Sequence, residues 1–306
     1  MSVQTFQLVI LGSSAATPTA TRNPTAQLLN IAERFFLIDC GEATQIQLRK
    51  YKARFQNINH IFISHLHGDH FFGLPGFLAS MHLLGRKNEL TIYAPPQLKE
   101  IIQLIHKHSD TYLSYPITFV DTQNKTKELI WQDDKVEVYS LPLQHRINTT
   151  GFLFKEKPLP RNIDKFKLEK FNVSFSEIHK LKLGFDAVDN NGIIIENHDL
   201  TIAPHAPRSY AFCSDTRFFE GLASDIPEVD LLYHEATFLE EKTERAAQTY
   251  HSTAKQAAEM AVLCKAKKLI LGHFSARYDN LNEFLNEAKP VFENTELAIE
   301  GKVIDL

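Results

Sequence analysis

Only three cysteines, Cys40, Cys213 and Cys264, occur in 306 residues. None stands in a C-x-x-C pair and their number is odd, which argues against a disulfide framework and for a reducing compartment; we read the chain as cytoplasmic. Long apolar runs are missing too, so no membrane span is expected. The opening "MSVQTFQLVILGSSAATP" has an apolar run only from Phe6 to Leu11, with no basic residue ahead of it. That reads as a first core strand followed by a loop, not as a secretion signal. An excess of positive charge is also absent: 33 Lys and Arg stand against 37 Asp and Glu, a net charge of -4. Any polyanion would have to be met by local charge. No period of 20 to 50 residues repeats and no low-complexity tract appears, which excludes solenoids and arrays. What remains is 43% hydrophobic and 23% charged, the composition of a globular protein with one large α/β core or two small ones.

What the chain does have is a recurring device. Short apolar runs end in a polar residue: "FFLIDC" at Asp39, "IFIS" before His65, "AFCSD" at Asp215, "LLYHE" at His234, and "LILGH" at His273. Each reads as a buried strand, and strand ends in α/β sheets are where loops converge on one crevice. Helical patterns lie between them. Phe77, Leu78, Met81 and Leu84 share one face with Gly85 as a stop, and Thr253 with Gln256 has capping-box spacing. Strand and helix are therefore expected to alternate. Lys155 to Gly184 interrupts this order. From Lys155 to Lys182 it carries eight Lys and Arg against four acids, +4 locally. On charge alone this is a solvated surface excursion.

The densest chemistry is "SHLHGDH", Ser64 to His70. Four ligand-type residues, His65, His67, Asp69 and His70, fall within six positions behind an apolar run. Imidazole and carboxylate donors together suit Zn²⁺, while Mn²⁺ or another divalent ion would also be accepted. Two ions need more ligands than this loop holds, and the strand-end residues His145, Asp215 and His273 can supply them. Isolated histidines such as His60, His82, His106, His108, His179, His198 and His205 read as hydrogen-bonded residues without a ligand role.

The motif resembles the signature of the metallo-β-lactamase fold, a four-layer αββα sandwich with a two-metal site at one edge. Beyond it, "LGSSAATPTATRN", "LIDCGEATQ", "SHLHGDHFFGLPG", "CSDTR", "HEATF", "HSTAKQAA" and "LGHFSARY" resemble, in the same order, the blocks of the ribonuclease Z family. These are endonucleases that trim the 3′ end of precursor tRNA. The resemblance implies an α/β fold in a single domain over 1–306, with an inserted tRNA-binding arm at 155–184. It implies two zinc ions per subunit. His65, His67 and His145 would hold one ion and Asp69, His70 and His273 the other, with Asp215 bridging. Asp69 would activate the water, His251 protonate the leaving oxygen, and Glu235 orient a histidine. His234 and Asp39 would support rather than ligate. Ser275 and Arg277 would hold phosphate oxygens, and Lys165, Lys167, Lys170, Lys180 and Lys182 of the arm would grip tRNA, with Phe166 and Phe171 anchoring the arm to itself. Family members are commonly homodimers, and a homodimer is expected here.

Two departures stand out. Relatives often read P-x-K-x-R-N early in the chain, where this one has "PTATRN" with Ala20 in place of the lysine, and the arm lacks the usual Gly-Pro pair. The first bears on recognition of a CCA end and not on hydrolysis. The rival on the same fold is a phosphodiesterase or lactonase acting on a small molecule, which would need neither a basic arm nor the "HEAT" and "HST" blocks.

Overall fold

The structure, a computed structural model, describes residues 4–171 and 173–306. Met1 to Val3 of the opening stretch and Asn172 of the expected arm lie outside the described residues. The chain divides into two compact units, a large one (residues 4–155 and Arg208–Leu306) and a small one (Glu156–Pro207).

The large unit is built on two seven-stranded sheets. The strands are β1 (Phe6–Gly12), β2 (Ala26–Ile31), β3 (Arg34–Ile38), β4 (Ile58–Phe62), β5 (Leu90–Ala94), β6 (Ile117–Asp121), β7 (Glu128–Gln132), β8 (Val136–Leu143), β9 (Thr149–Glu156), β10 (Ser209–Cys213), β11 (Leu231–Glu235), β12 (Lys268–Gly272), β13 (Thr295–Leu297) and β14 (Val303–Asp305). One sheet runs in the order β14-β1-β2-β3-β4-β5-β6 and the other β13-β12-β11-β10-β9-β8-β7. Facing apolar side chains, among them Phe36, Phe62, Phe152, Phe154, Phe212 and Tyr233, fill the space between them. A second cluster seals one sheet beneath Phe77, Leu78 and Met81 of the helix Leu74–Leu83. A third seals the other beneath Ala257, Ala258 and Ala261 of the helix Ala254–Leu263. The result is the four-layer αββα sandwich. Among the described residues no helix is long and apolar enough to cross a membrane.

Strand and helix alternate only in part. From β3 to β6 and from β10 to β13 neighbouring strands are parallel, but β1, β2 and β3 form an antiparallel meander. The link from β2 to β3 is just Ala32 and Glu33, both at positive φ (49° and 66°), the backbone of a tight hairpin, whereas a parallel crossover needs a dozen residues or more. Ala-Glu lacks the Gly or Asn that marks such turns in sequence. Leu84 also departs from its expected face: the helix stops at Leu83, Gly85 turns the chain at φ 84°, and Leu84 is exposed. The expected capping box is present, with the Thr253 side chain accepting from the Gln256 N–H and Gln256 reaching back to the Thr253 N–H.

The small unit has its own core of Leu181, Ala187, Ile195 and Leu200. Buried Asn197 ties it together, donating from Nδ2 to the carbonyls of Leu181 and Phe185, both at 2.8 Å. Gly184, the end of the arm as read from sequence, lies inside this unit. Over Glu156–Pro207 seven Lys and Arg face eight Asp and Glu, so the positive charge is confined to the first half and offset by acids at Asp186, Asp189, Glu196 and Asp199 in the second. Phe166 does not anchor the unit to itself, being 84% exposed; the aliphatic core does that.

Candidate metal centre

The strand ends converge as chemistry requires. β3 and β4 are parallel neighbours in one sheet, and β10, β11 and β12 in the other, so their C-terminal ends share an edge. Asp39 follows β3, His65 and His67 follow β4, His145 follows β8, Asp215 follows β10, Glu235 ends β11 and His273 follows β12. Asp39, Asp215 and His273 all take left-handed backbone conformations (φ 55°, 54° and 57°), which turn each chain sharply out of its strand. Such residues cost roughly 1 to 3 kcal/mol each and persist only where the surroundings over-determine them. Asp69 and His70 ride on the short helix Gly68–Phe71.

Two groups of donors result. In the first, His67 Nδ1 lies 2.9 Å from His65 Nε2 and 3.3 Å from His145 Nε2, while Asp215 Oδ2 lies 3.6 and 3.8 Å from those two Nε2 atoms. In the second, His70 Nε2 is 3.3 Å from Asp69 Oδ2 and 3.1 Å from Asp215 Oδ1, and His273 Nε2 is 3.5 and 3.1 Å from the same two oxygens. Donors about 2.0–2.1 Å from a tetrahedral ion stand roughly 3.3 Å apart, so both groups fit a zinc-sized cation. His70 Nε2 and His273 Nε2 are buried and have no hydrogen-bond partner among the described residues, a costly state for a polar atom unless a cation takes the lone pair. These residues could hold a divalent metal.

The electrostatics separate the histidines. Burial, reinforced by neighbouring imidazoles, pushes His65, His67 and His145 below the usual histidine range and so keeps them neutral. Burial would lower His70 as well, but Asp215, Asp69 and Asp39 around it raise it well above that range. For Asp215, burial is overcome by His273, His70 and His65, which hold the carboxyl far below its ordinary value. Ligand histidines need a partner on the far ring nitrogen. His70 Nδ1 has Asp39 Oδ2 at 2.7 Å and His145 Nδ1 has the Tyr250 carbonyl at 3.0 Å.

His251 stands apart from the two groups although it is within ligand reach of Asp215 and His273. Its Nδ1 is 2.8 Å from Glu235 Oε1. Burial would lower its pKa, but Glu235 foremost, with Asp215 and Asp69, lifts it to about 9. Paired with Glu235, this imidazole holds a proton that it can give. His234 is not in the cluster; its Nδ1 faces the Glu235 carbonyl at 2.8 Å.

The centre opens into a cavity of about 560 Å³ whose wall includes His251, Ser275 and Arg277. Arg277 Nε donates to Ser275 Oγ (3.0 Å) and its guanidinium lies over the Phe238 ring at 5.0 Å. Arg146 and Arg245 line the same wall and were not singled out from sequence; for Arg146 the signal was its place directly after a ligand candidate. The Ala16 N–H, which donates to Asp69 Oδ2 at 2.7 Å, left no signal because it is a backbone group. The arm lysines Lys165, Lys167, Lys170, Lys180 and Lys182 belong to the small unit and are all exposed; Lys180 pairs with Glu177 at 2.6 Å.

Comparison with known proteins follows the same lines. The family described as Anti-Pycsar protein Apyc1 matches residues 6–159. The Ribonuclease Z of Cytophaga hutchinsonii is 50% identical over 297 residues, covering 97% of this chain and 95% of its own. The crystal structure of the short form of human tRNase Z superposes with a TM-score of 0.69 at 28% identity, covering 97% of this chain and 98% of that one. The metallo-β-lactamase-fold protein YhfI of Bacillus subtilis, at 16% identity, shares the fold with a TM-score of 0.70 over 99% of this chain and 100% of its own.

Proposed function

Since this chain belongs to the ribonuclease Z family, we propose that it is a zinc-dependent endoribonuclease that removes 3′ trailers from precursor tRNA and leaves a 3′-hydroxyl on the tRNA. The observation that carries the chemistry is Asp215 dividing its two oxygens between two donor groups. In this reading His65, His67 and His145 would hold one Zn²⁺ and Asp69, His70 and His273 a second, with Asp215 offering an oxygen to each group. Two such cations would supply a water of lowered pKa and neutralise charge on the phosphate under attack.

The chain's own residues do the rest. Asp69 is held ionised, because His70 and His273 outweigh the burial that would protonate it, and it accepts a hydrogen bond from the attacking water. The ribose 3′ oxygen departs as a strong base, and His251, kept protonated by Glu235, delivers a proton to it. Ser275 and Arg277 hold non-bridging phosphate oxygens, and Arg277 is pre-set by its bond to Ser275. Lys165, Lys167, Lys170, Lys180 and Lys182 grip the tRNA. The protein works in the cytoplasm as a homodimer, and three buried free thiols support the reducing compartment.

The test is to incubate purified, metal-analysed protein with labelled precursor tRNA carrying a 3′ trailer and to map the cut. Cleavage at the trailer boundary that stops on chelation and returns with Zn²⁺ is expected. Hydrolysis of small diesters with precursor tRNA left whole would assign the site to a small-molecule phosphodiesterase instead.

A further inference from the structure

One arrangement occurs twice around the centre, once on each sheet. Asp39 and Glu235 are both fully buried carboxylates at strand ends. Each bonds one imidazole directly: Asp39 Oδ2 with His70 Nδ1 at 2.7 Å, and Glu235 Oε1 with His251 Nδ1 at 2.8 Å. Each also takes a hydroxyl. Ser64 Oγ donates to Asp39 Oδ2 (3.0 Å) and Thr237 Oγ1 to Glu235 Oε2 (2.6 Å). On the far side of each hydroxyl lies another imidazole: His65 Nδ1 is 3.1 Å from Ser64 Oγ and His273 Nδ1 is 2.9 Å from Thr237 Oγ1.

A hydroxyl has one proton and two lone pairs. With the proton committed to a buried carboxylate, the oxygen faces the ring nitrogen only as an acceptor. That nitrogen must then carry the N–H. The tautomer so fixed leaves Nε2 of His65 and of His273 without a proton, and these are the atoms that face Asp215 in the first and second donor groups. The backbone reinforces the direction of each relay. The Ser64 N–H donates to Asp39 Oδ1 (2.8 Å), and the Thr216 and Ser252 N–H groups to Glu235 Oε1 and Oε2 (2.7 and 3.2 Å), so both carboxylates are locked as acceptors.

We propose that Ser64 and Thr237 are positioning residues, each fixing the tautomer of one ligand histidine, His65 or His273, and thereby raising the ion affinity of the donor group that histidine belongs to. The inference rests on the reading of the two groups as metal sites. It was not visible in the chain because each relay closes on a distant residue, Ser64 on Asp39 and Thr237 on His273, 25 and 36 positions away.

Zinc binding tests it on the full chain, by chelator competition on protein stripped of metal. Thr237→Val keeps the shape of the side chain and removes the hydroxyl. It should weaken one of the two zinc equivalents by about 10- to 100-fold, the usual effect of losing a partner behind a ligand. Ser64→Ala should weaken the other equivalent, and Thr237→Ser, which restores the relay, should bind as the parent does. Parent-like binding by Thr237→Val overturns the proposal. So does an equal loss in Thr237→Ser, which would assign the effect to packing, or loss of the same equivalent in both hydroxyl deletions. Should Thr237→Val fail to fold, long-range ¹H–¹⁵N spectra of the metal-free parent decide: Nδ1–H tautomers at His65 and His273 support the relay and Nε2–H tautomers refute it. A parent that binds no zinc would reject the metal-centre reading itself, a distinguishable failure.

Discussion

His251 owes its chemistry chiefly to Glu235, with Asp215 and Asp69 behind it. With Glu235 Oε1 at 2.8 Å from Nδ1, the imidazole holds its proton up to about pH 9 although burial pulls the other way. As an acid in the cleavage step it should work on a plateau through neutral pH and fail as pH rises through about 9. His251→Ala should lose roughly 10² to 10⁴ in rate and also lose that alkaline limb. On a substrate with a nitrophenolate leaving group, which needs no proton, the loss should shrink; an equal loss on both substrates would remove His251 from the acid role. The same shift has a stability signature. Because the folded-state pKa lies above the ordinary value of 6.5, the stabilisation from this pair is complete below about pH 6.5 and disappears as pH rises to about 9. In Glu235→Gln that pH dependence of the unfolding free energy should shrink sharply, leaving only what Asp215 and Asp69 supply, as denaturant titrations across this range would show. Glu235 and His251 were both legible as candidates in "HEAT" and "HST". Their pairing was not, since 16 residues separate them in sequence.

At the scale of elements, most of the site could be read because each strand announces its end. The runs closing at Asp39, His65, Asp215, His234 and His273 are buried strands that stop at a polar residue, and the structure places a strand at each. Which ends become neighbours depends on pairing between distant segments, such as β3 with β4 and β11 with β12, and that information is not local. This is why Asp39 read only as a supporting group, with no indication that His70 was its partner. Gly272 shows how tightly an end is held. A Cβ there would collide with the hydroxyl and two ring carbons of the buried Tyr233, and the next residue is His273. Gly272→Ala therefore forces either the ring or the strand end to move. Overpacking of this kind typically costs 1 to 3 kcal/mol. We expect a loss of that size in urea titration, and a drop in bound zinc larger than a Gly→Ala change on the exposed surface gives. A Gly272→Ala protein with full metal content would show that the strand end tolerates the shift and that His273 is placed by its loop alone.

For the whole molecule, the question is what a chain with net charge -4 does to hold a polyanion. The large unit contributes Arg146, Arg245 and Arg277 around one cavity. The small unit adds exposed Lys165, Lys167, Lys170 and Lys182, while its acids at Asp186, Asp189, Glu196 and Asp199 bring its overall charge close to balance. The unit's charge is thus segregated along the chain. If the lysine-rich half grips tRNA, its contacts release counterions, and affinity must fall steeply with salt. Replacing residues 159–205 by a short Gly/Ser loop should leave zinc content and hydrolysis of a small chromogenic phosphodiester nearly unchanged, and cleavage of precursor tRNA should collapse through apparent affinity. Reversing Lys165, Lys167 and Lys170 to Glu in the intact chain should do the same more mildly, with a shallower dependence of KM on salt. Reversing Asp189 and Glu196 to Lys should leave KM unchanged or lower it. If the loop-replaced protein processes precursor tRNA as well as the parent, the small unit is a surface insertion and the arginines of the cavity bear the whole burden of substrate binding.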